Sequence, residues 1–402
     1  MSLLITLLIL SFTIAEASAE AYFPDNTWET RTAQESNLNE EQLDKLFELT
    51  FSDQATMSAV LIKDGYIVKE QYAEGFDQNS YGTSWSTAKS FYAALIGISL
   101  DRGEINSLDD PVSKYIKEYD TSEKKDITIR QILNMTSGLE FPSHEHEKMF
   151  FEDDHMEYAL KVGVESEPGA KFEYNNVNSM LMAEILKNVT GKTAKTLIDE
   201  RIFSKIGLDD YIAWEDSAGN TLTYCCLDMS ARDYSRFGLL FSRDGNWNGE
   251  KIISKDYVDE SLKLHWGSTP SMGWPHSDTR GYSLQWWISK YDDQAKIYNT
   301  SGKFGQFVFV DRERDIIFTR ITKYYPTIGE VQNFGSLSFL KFLGSVDAAV
   351  GVARFFNNIG LIKFSEGGVQ TPVTLEEGES EEFYEKYIEI VDTIATLEAD
   401  ET

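Results

Sequence analysis

Residues 83–100, TSWSTAKSFYAALIGISL, set a lysine near the head of a run that is otherwise almost wholly apolar. Ser86 and Lys89 stand three apart, which puts them on one face if the run is a helix. Lysine is among the side chains least often buried without a partner. Either its stem snorkels to the surface, or the ammonium group has a task beside Ser86. In apolar surroundings a lysine's pKa falls, because burial penalises the charged form. A neutral amine can take a serine's proton, which is the Ser-Lys variant of nucleophilic catalysis. The start of the helix adds backbone N–H groups and a positive dipole end near the developing charge.

The segments around this run set the architecture. Upstream, LNEEQLDKLFELTF (38–51) has helical periodicity, with Leu38, Leu43, Leu46 and Phe47 on one side. MSAVLIKDGYIVKEQYAEG (57–75) reads as a hairpin around Asp64-Gly65. From about residue 101 to 214 the pattern is mostly helical, with DITIRQILNMTSGL and VNSMLMAEILKNVTG each stopped at or near glycine. From Tyr282 the chain turns β-like: YSLQWWISK, KIYNTSG and QFVFVDRERDIIFTRITKYY read as strands, the last stretch folding back at 311–315. The segment 333–356 reads as a closing helix. Strands at both ends with helices between predict an α+β fold, one antiparallel sheet built from both chain ends with an inserted helical lobe.

The 402 residues, 42% hydrophobic and 13% aromatic, suffice for a substantial core. LLITLLILSFTIA followed by Ala17-Ser18-Ala19 has the form of a signal peptide, too short for a comfortable membrane span. Residues 1–19 are thus expected to be a leader, 20–364 the main domain, and 365–402 an acidic linker with a terminal amphipathic helix. That helix carries Phe383, Tyr387, Ile390, Val391 and Ile394 at helical spacing, for docking or for a partner. The expected location is periplasmic or secreted, with no stable membrane insertion once the leader is removed. A net charge of -29 argues against nucleic acid and anionic lipid as partners. The two cysteines, Cys225 and Cys226, are adjacent and are expected as reduced, buried thiols.

Ser-x-x-Lys alone is a weak signal, since it recurs at Ser122/Lys125 and Ser338/Lys341. Two later elements strengthen it. FEYNNVNSMLMAEIL holds Tyr174-x-Asn176, and NTSGKFGQFVFVD holds Lys303-Phe304-Gly305 just before an apolar strand. Lys-x-Gly also recurs, at Lys63, Lys161 and Lys205, so its position matters more than its letters. The ordered set resembles the serine β-lactamase and penicillin-binding superfamily, and tyrosine in the second motif resembles its class C branch. ITIRQILNMTSGL, PGAKFEYNNVNSMLMAEILKNVTGK, CCLDMSARDYSRFGLLF and GYSLQWWI are similar to 6-aminohexanoate-dimer hydrolases and related carboxylesterases of that branch.

The resemblance implies a β-lactamase/transpeptidase-like fold and a serine hydrolase acting on a small ester or amide, without metal or cofactor. It implies that Ser86 is acylated, that Lys89 assists the attack as base or by charge, and that Tyr174 shuttles protons. Asn176 would bind substrate or hold Lys89, and Lys303 would keep the Tyr174 phenolate accessible. The backbone N–H groups of Ser86 and Gln306 would form the oxyanion hole. Trp85, Phe304 and Gly305 would line the substrate site. Phe304 stands where the lactamase pattern has threonine, so a hydroxyl for a β-lactam carboxylate is missing. That favours neutral aryl or alkyl acyl groups. The rival readings are a D-amino-acid peptidase or β-lactamase on cell-wall-type substrates, and a non-catalytic ligand-binding relative.

Other residues draw blander readings. His144, Glu145, His146, Asp153, Asp154 and His155 match no metal spacing and read as a polar loop. His265 reads as a packing or surface histidine. Trp286 and Trp287 fit a pocket or a core equally. Asn134, Asn188 and Asn299 begin Asn-x-Ser/Thr triplets, which matter only on a eukaryotic secretory route. Oligomeric state is not legible.

Overall fold

Asp64 (φ 53°) and Gly65 (φ 87°) both occupy the left-handed region that a two-residue hairpin turn requires. They join β1 (Thr56–Lys63) to β2 (Tyr66–Tyr72), as the sequence predicts. The computed structural model describes residues 21–140, 149, 152–266, 280–291, 296–323 and 381–398. After α1 (Glu40–Ser52) and the hairpin come β3 (Tyr81–Thr83), α2 (Ala88–Asp101), α3 (Ile129–Leu133), α4 (His155–Lys161), α5 (Asn176–Thr190) and α6 (Ala194–Arg201). Next are β4 (Ile212–Ala213), β5 (Leu227–Ser230), α7 (Ala231–Ser242), β6 (Asn246–Trp247), β7 (Glu250–Lys251) and α8 (Lys255–Ser261). The strands β8 (Gly281–Ser283), β9 (Trp286–Tyr291), β10 (Lys296–Gly302), β11 (Gln306–Asp311) and β12 (Ile316–Thr322) follow, and α9 (Glu381–Ala395) is last.

The main sheet runs β2-β1-β12-β11-β10-β9-β8, with its recorded strand pairs antiparallel. The chain ends meet at β1 and β12, where Leu61 faces Phe318 and Ile62 faces Ile317. Alternation divides these strands between two cores. Val60, Ile62, Val308 and Ile317 join the larger cluster with α2, α5 and α7. Ala59, Leu61, Phe309 and Phe318 join a smaller one with α1 and α9. Both faces are covered, which explains strands that read as continuous apolar runs. The α+β expectation is borne out.

The terminal helix docks. Phe383, Tyr387, Ile390, Val391 and Ile394 are all buried against the sheet. Tyr387 donates its hydroxyl to Asn299 Oδ1 (3.0 Å), and Arg314 donates to the helix-end carbonyls of Ile394 (3.1 Å) and Ala395 (2.8 Å).

Two local expectations need correction. YSLQWWISK is two strands, because Leu284 (φ 35°) and Gln285 (φ 69°) form a tight turn without glycine. The turn is held from outside: Leu284 N donates to Asn134 Oδ1 (2.8 Å), and Gln285 N to Leu133 O (3.0 Å). The helix in DITIRQILNMTSGL is only Ile129–Leu133; Met135 turns left-handed (φ 59°) well before the glycine. Cys225 and Cys226 are both buried, as expected, and are joined by a cis peptide bond. The closing helix read at 333–356 lies outside the described residues, as do the leader and the linker before α9. No helix among the described residues is long and apolar enough to cross a membrane.

If α9 is integral to the fold, Ile390→Ala should lower unfolding free energy by about 2–5 kcal/mol, from lost burial plus a cavity. Urea denaturation reads this directly, and an unchanged midpoint would show a helix that contributes nothing.

Candidate active site

From Gly82 to Ser99 every residue is buried except Ser86. A tight turn, Trp85–Thr87, precedes α2 and begins with Trp85 at φ 47°, an uncommon conformation for a bulky residue. Several hydrogen bonds clamp it. Ser84 N donates to Leu227 O (2.7 Å) and Leu227 N to Ser84 Oγ (2.7 Å), fixing the turn to β5. Thr87 Oγ1 donates to Gln306 O (3.2 Å), and Ser90 Oγ to Gln285 O (2.6 Å). A Cβ on Gly302 would lie 2.1 Å from Ser84 O, so only glycine lets the end of β10 approach this closely.

Lys89 is 1% exposed, yet it has no carboxylate partner among the described residues. Its Nζ donates to Ser86 Oγ (2.8 Å) and to the carbonyl of Tyr224 (2.5 Å). Burial pushes its pKa well below that of an ordinary lysine, so the neutral amine is favoured. The lysine does not snorkel.

Tyr174 comes from the extended segment before α5, whose first turn is capped by the Asn175 side chain on Val177 N (2.9 Å). Its hydroxyl hydrogen-bonds Ser86, and its ring centroid lies 5.0 Å from Lys89 Nζ. Burial raises the phenol's pKa above the ordinary value, opposed by the Ser86 hydrogen bond and the charge of Arg280. The phenol is therefore the resting form. Trp287 stacks on the Tyr174 ring (centroids 5.8 Å, 24° between planes).

The other predicted residues fall around this centre. Gln306 begins β11 and spends both ends of its side-chain amide on Thr322, leaving its backbone beside the Ser86 turn. Trp85 meets Phe304 edge to face (5.7 Å) and also packs on Trp214 (6.4 Å). Phe304 and Gly305 form the β10–β11 turn at positive φ. Lys303 lies 5.3 Å from the Phe304 ring, and the charge of Arg280 acts on Tyr174. Asn176 is the first residue of α5; its buried Oδ1 has no hydrogen-bond partner among the described residues, and Lys89 is held by Ser86 and Tyr224 rather than by it.

Of the paired tryptophans, Trp286 belongs to the core beside Phe241 (4.6 Å), and Trp287 to the site. His155 contacts the Tyr224 hydroxyl (3.1 Å), Asp154 caps α4, and no metal-binding group is found among the described residues. His144, Glu145 and His146 lie outside them. His265 Nε2 lies 3.3 Å from a Glu260 carboxylate oxygen, and burial lowers its pKa. Asn134 and Asn299 are buried, which leaves Asn188 as the exposed triplet asparagine.

Sequence reasoning missed Tyr224, Gln285 and Arg280. Tyr224 acts through its carbonyl, which no side-chain pattern can reveal. Gln285 joins four elements, since its amide also donates to Leu133 O (2.7 Å) and accepts from Ser179 Oγ (2.8 Å).

A family model described as Beta-lactamase matches residues 47–333, more than half of the chain. The 6-aminohexanoate-dimer hydrolase of Paenarthrobacter ureafaciens is 22% identical over 298 residues, 69% of this chain and 75% of that one. Among solved structures, a Bacillus anthracis protein assigned as a 6-aminohexanoate-dimer hydrolase superposes with a TM-score of 0.63 at 21% identity, covering 82% of this chain and 88% of that one. A family VIII carboxylesterase gives 0.56 at 18% identity, covering 70% and 90%.

The close approach at Gly302 is testable. Gly302→Ala should cost about 1–3 kcal/mol of stability by overpacking against Ser84. An unchanged melting temperature would show that the two segments can part freely.

Proposed function

The chain belongs to the Beta-lactamase family, and on that premise we propose that it cleaves an ester or amide bond through an acyl-enzyme on Ser86. One observation carries the reading: a single partly exposed hydroxyl is hydrogen-bonded both to a buried amine, with no counter-ion among the described residues, and to a protonated phenol. An amine in that state can accept a proton; an ordinary surface lysine at neutral pH cannot.

In the proposed sequence, Ser86 Oγ attacks the substrate carbonyl while its proton passes to Lys89 Nζ. The tetrahedral oxyanion is met by the backbone N–H groups of Ser86 and Gln306, each worth about a hundredfold or more in rate. Collapse breaks the bond to the leaving group, which takes the phenol proton of Tyr174; the proton held on Lys89 then restores the phenol. In net, the serine's proton leaves on the alcohol or amine. Water reverses the relay, giving its proton back toward Ser86 as it releases the carboxylic acid.

Phe304 and Trp85 give the acyl side an aromatic wall in place of a hydroxyl, which favours aryl and alkyl acyl groups over β-lactams. Export by a leader cleaved after Ala19 belongs to the same proposal.

Lys89→Ala and Tyr174→Phe should each lower kcat/KM for p-nitrophenyl esters at least a hundredfold with melting temperature preserved. Near wild-type turnover in either would remove its assigned role. Rapid labelling by penicillin without ester turnover would favour the lactamase or peptidase alternative.

The pH profile has a defined sign. Lys89 must be neutral, and its pKa is depressed, so activity falls as pH drops through that lowered value and is already complete well below the ordinary lysine range. Tyr174 must keep its proton, and its pKa is raised, so the alkaline loss comes above the ordinary phenol range. A kcat/KM profile that rises only near the pKa of a free lysine would contradict a neutral resting amine.

A further inference from the structure

Three carboxylates are buried among the described residues: Asp216, Asp228 and Asp311. Arg314 Nε donates to Asp311 Oδ2 (2.7 Å), and Asp216 accepts the backbone N–H groups of His155 (2.8 Å), Ala218 (3.0 Å) and Asn220 (2.8 Å). Asp228 is the exception. It is 1% exposed, and among the described residues no cation pairs with it. Burying a charge is costly unless it is paired and hydrogen-bonded, and burial pushes this carboxyl's pKa up to about 6. The Trp214 indole and the Thr83 side chain oppose that penalty by favouring the charged form. The other titratable groups that feel its charge are the phenols of Tyr81 on β3 and Tyr234 on α7, both held neutral by burial. The carboxylates of Asp210 and Asp233 also act on Tyr81.

Its place in the fold ties it to the nucleophile. Asp228 lies on β5 opposite Thr83 of β3, and its neighbour Leu227 exchanges hydrogen bonds with Ser84, two residues before Ser86. Asp228 Oδ2 accepts from Trp214 Nε1 (2.9 Å). The backbone of Trp214 is fixed by its own N–H to Cys226 O (3.2 Å), so the bond to Asp228 sets the direction of the ring. That ring meets Trp85 edge to face (centroids 6.4 Å), and Trp85 meets Phe304 in the same way (5.7 Å). One side chain therefore separates the carboxylate from the aromatic wall beside Ser86. A charged acceptor holds an N–H more tightly than a neutral acid does, and the acid adds an O–H donor that must itself be satisfied in the core.

We propose that Asp228 is a positioning residue for the acyl site: its carboxylate orients the Trp214 indole, which backs Trp85, so the fit of the acyl group follows the charge of Asp228. This deepens the hydrolase reading above and rests on it. At neutral pH the charged acceptor holds Trp214, and through it Trp85, in one arrangement. As pH falls through about 6 the carboxyl gains a proton, the indole loses its charged acceptor, and the wall loosens. A large acyl group that packs on the wall feels the change, and an acetyl group, which reaches the wall least, is almost indifferent to it.

The test follows a ratio in the full-length protein: kcat/KM for p-nitrophenyl phenylacetate over kcat/KM for p-nitrophenyl acetate, from about pH 4.5 to 8. The two esters share a leaving group, so the protonation of Lys89 and Tyr174 acts on both and cancels. The wild-type ratio should rise at least about threefold, with a midpoint near pH 6. Asp228→Asn, which keeps the shape without titrating, should hold the ratio near its acid value throughout. Trp214→Phe, which keeps a ring and loses the N–H, should flatten the profile as well. A smaller rise in the wild type, no change or a fall would overturn the proposal, whether or not the variants fold. So would the wild-type midpoint persisting in either variant, the result if another group titrates or if the charge acts without the indole. Failure to turn over either ester would instead count against the hydrolase reading. The link between carboxylate and indole is then read by nitrogen-15 NMR of the eight tryptophans. The indole N–H signal that is missing from Trp214→Phe should move with a midpoint near pH 6 in the wild type and stay fixed in Asp228→Asn. A signal fixed in the wild type, or one that moves equally in both, would reject the link.

Discussion

An amine buried with no counter-ion among the described residues is the constraint on which this molecule turns. In most folds a lysine that enters a core brings a carboxylate with it or reaches back to water. Among the described residues Lys89 does neither, and its acceptors are a hydroxyl and a main-chain carbonyl. Both are neutral, so neither draws the amine toward its charged form as a carboxylate would. The same geometry that makes the lysine a poor cation makes it a competent base. Replacing Tyr224 O by an acidic side chain would satisfy the amine better and disable it.

Holding that state demands rigidity from segments far apart in the chain. The Ser86 turn is bonded to β5 on one side and to the start of β11 on the other, and Gly302 closes the gap to Ser84. Trp85 and Phe304 both adopt left-handed backbone conformations and pack against each other. Strain at such positions persists only where the surroundings over-determine it. Gln285 supplies part of that determination, tying the β8–β9 turn to α2, α3 and α5 through one side chain and its backbone. The sheet built from both chain ends is what lets these pieces converge.

Much of this architecture is legible in the sequence, because it rests on period and on local chemistry. The hairpin at Asp64-Gly65, the buried helix after Ser86, the helix ending at Gly191 and the register of the last strands follow from alternation, apolar runs and turn residues. Motif order hints that Ser86, Lys89 and Tyr174 meet, but spacing alone cannot establish it, since the tyrosine lies 85 positions beyond the lysine. What the sequence hides has a common cause, dependence on distant partners. The turn at Leu284-Gln285 lacks glycine because distant residues stabilise it, the Tyr224 carbonyl has no residue signature, and Arg280 is notable only once the fold sets it against Trp287 and within reach of Tyr174.

The placement of charge around the cleft differs from what Lys303-Phe304-Gly305 suggests. A lysine beside the nucleophile would be the natural anchor for an anionic substrate, but Phe304 and Trp85 fill that flank with aromatic surface, and Lys303 lies over the Phe304 ring. The buried Arg280 guanidinium, whose charge reaches Tyr174, lies against Trp287 and against Tyr384 and Tyr387 of α9. A positive charge there offsets part of the burial penalty on any negative charge that develops at the phenol. The terminal helix, acidic on its outer face and aromatic within, thereby sets two ring faces on the cation that reaches the phenol. Without Tyr384 and Tyr387 the guanidinium would be open to water, and its effect on Tyr174 would weaken.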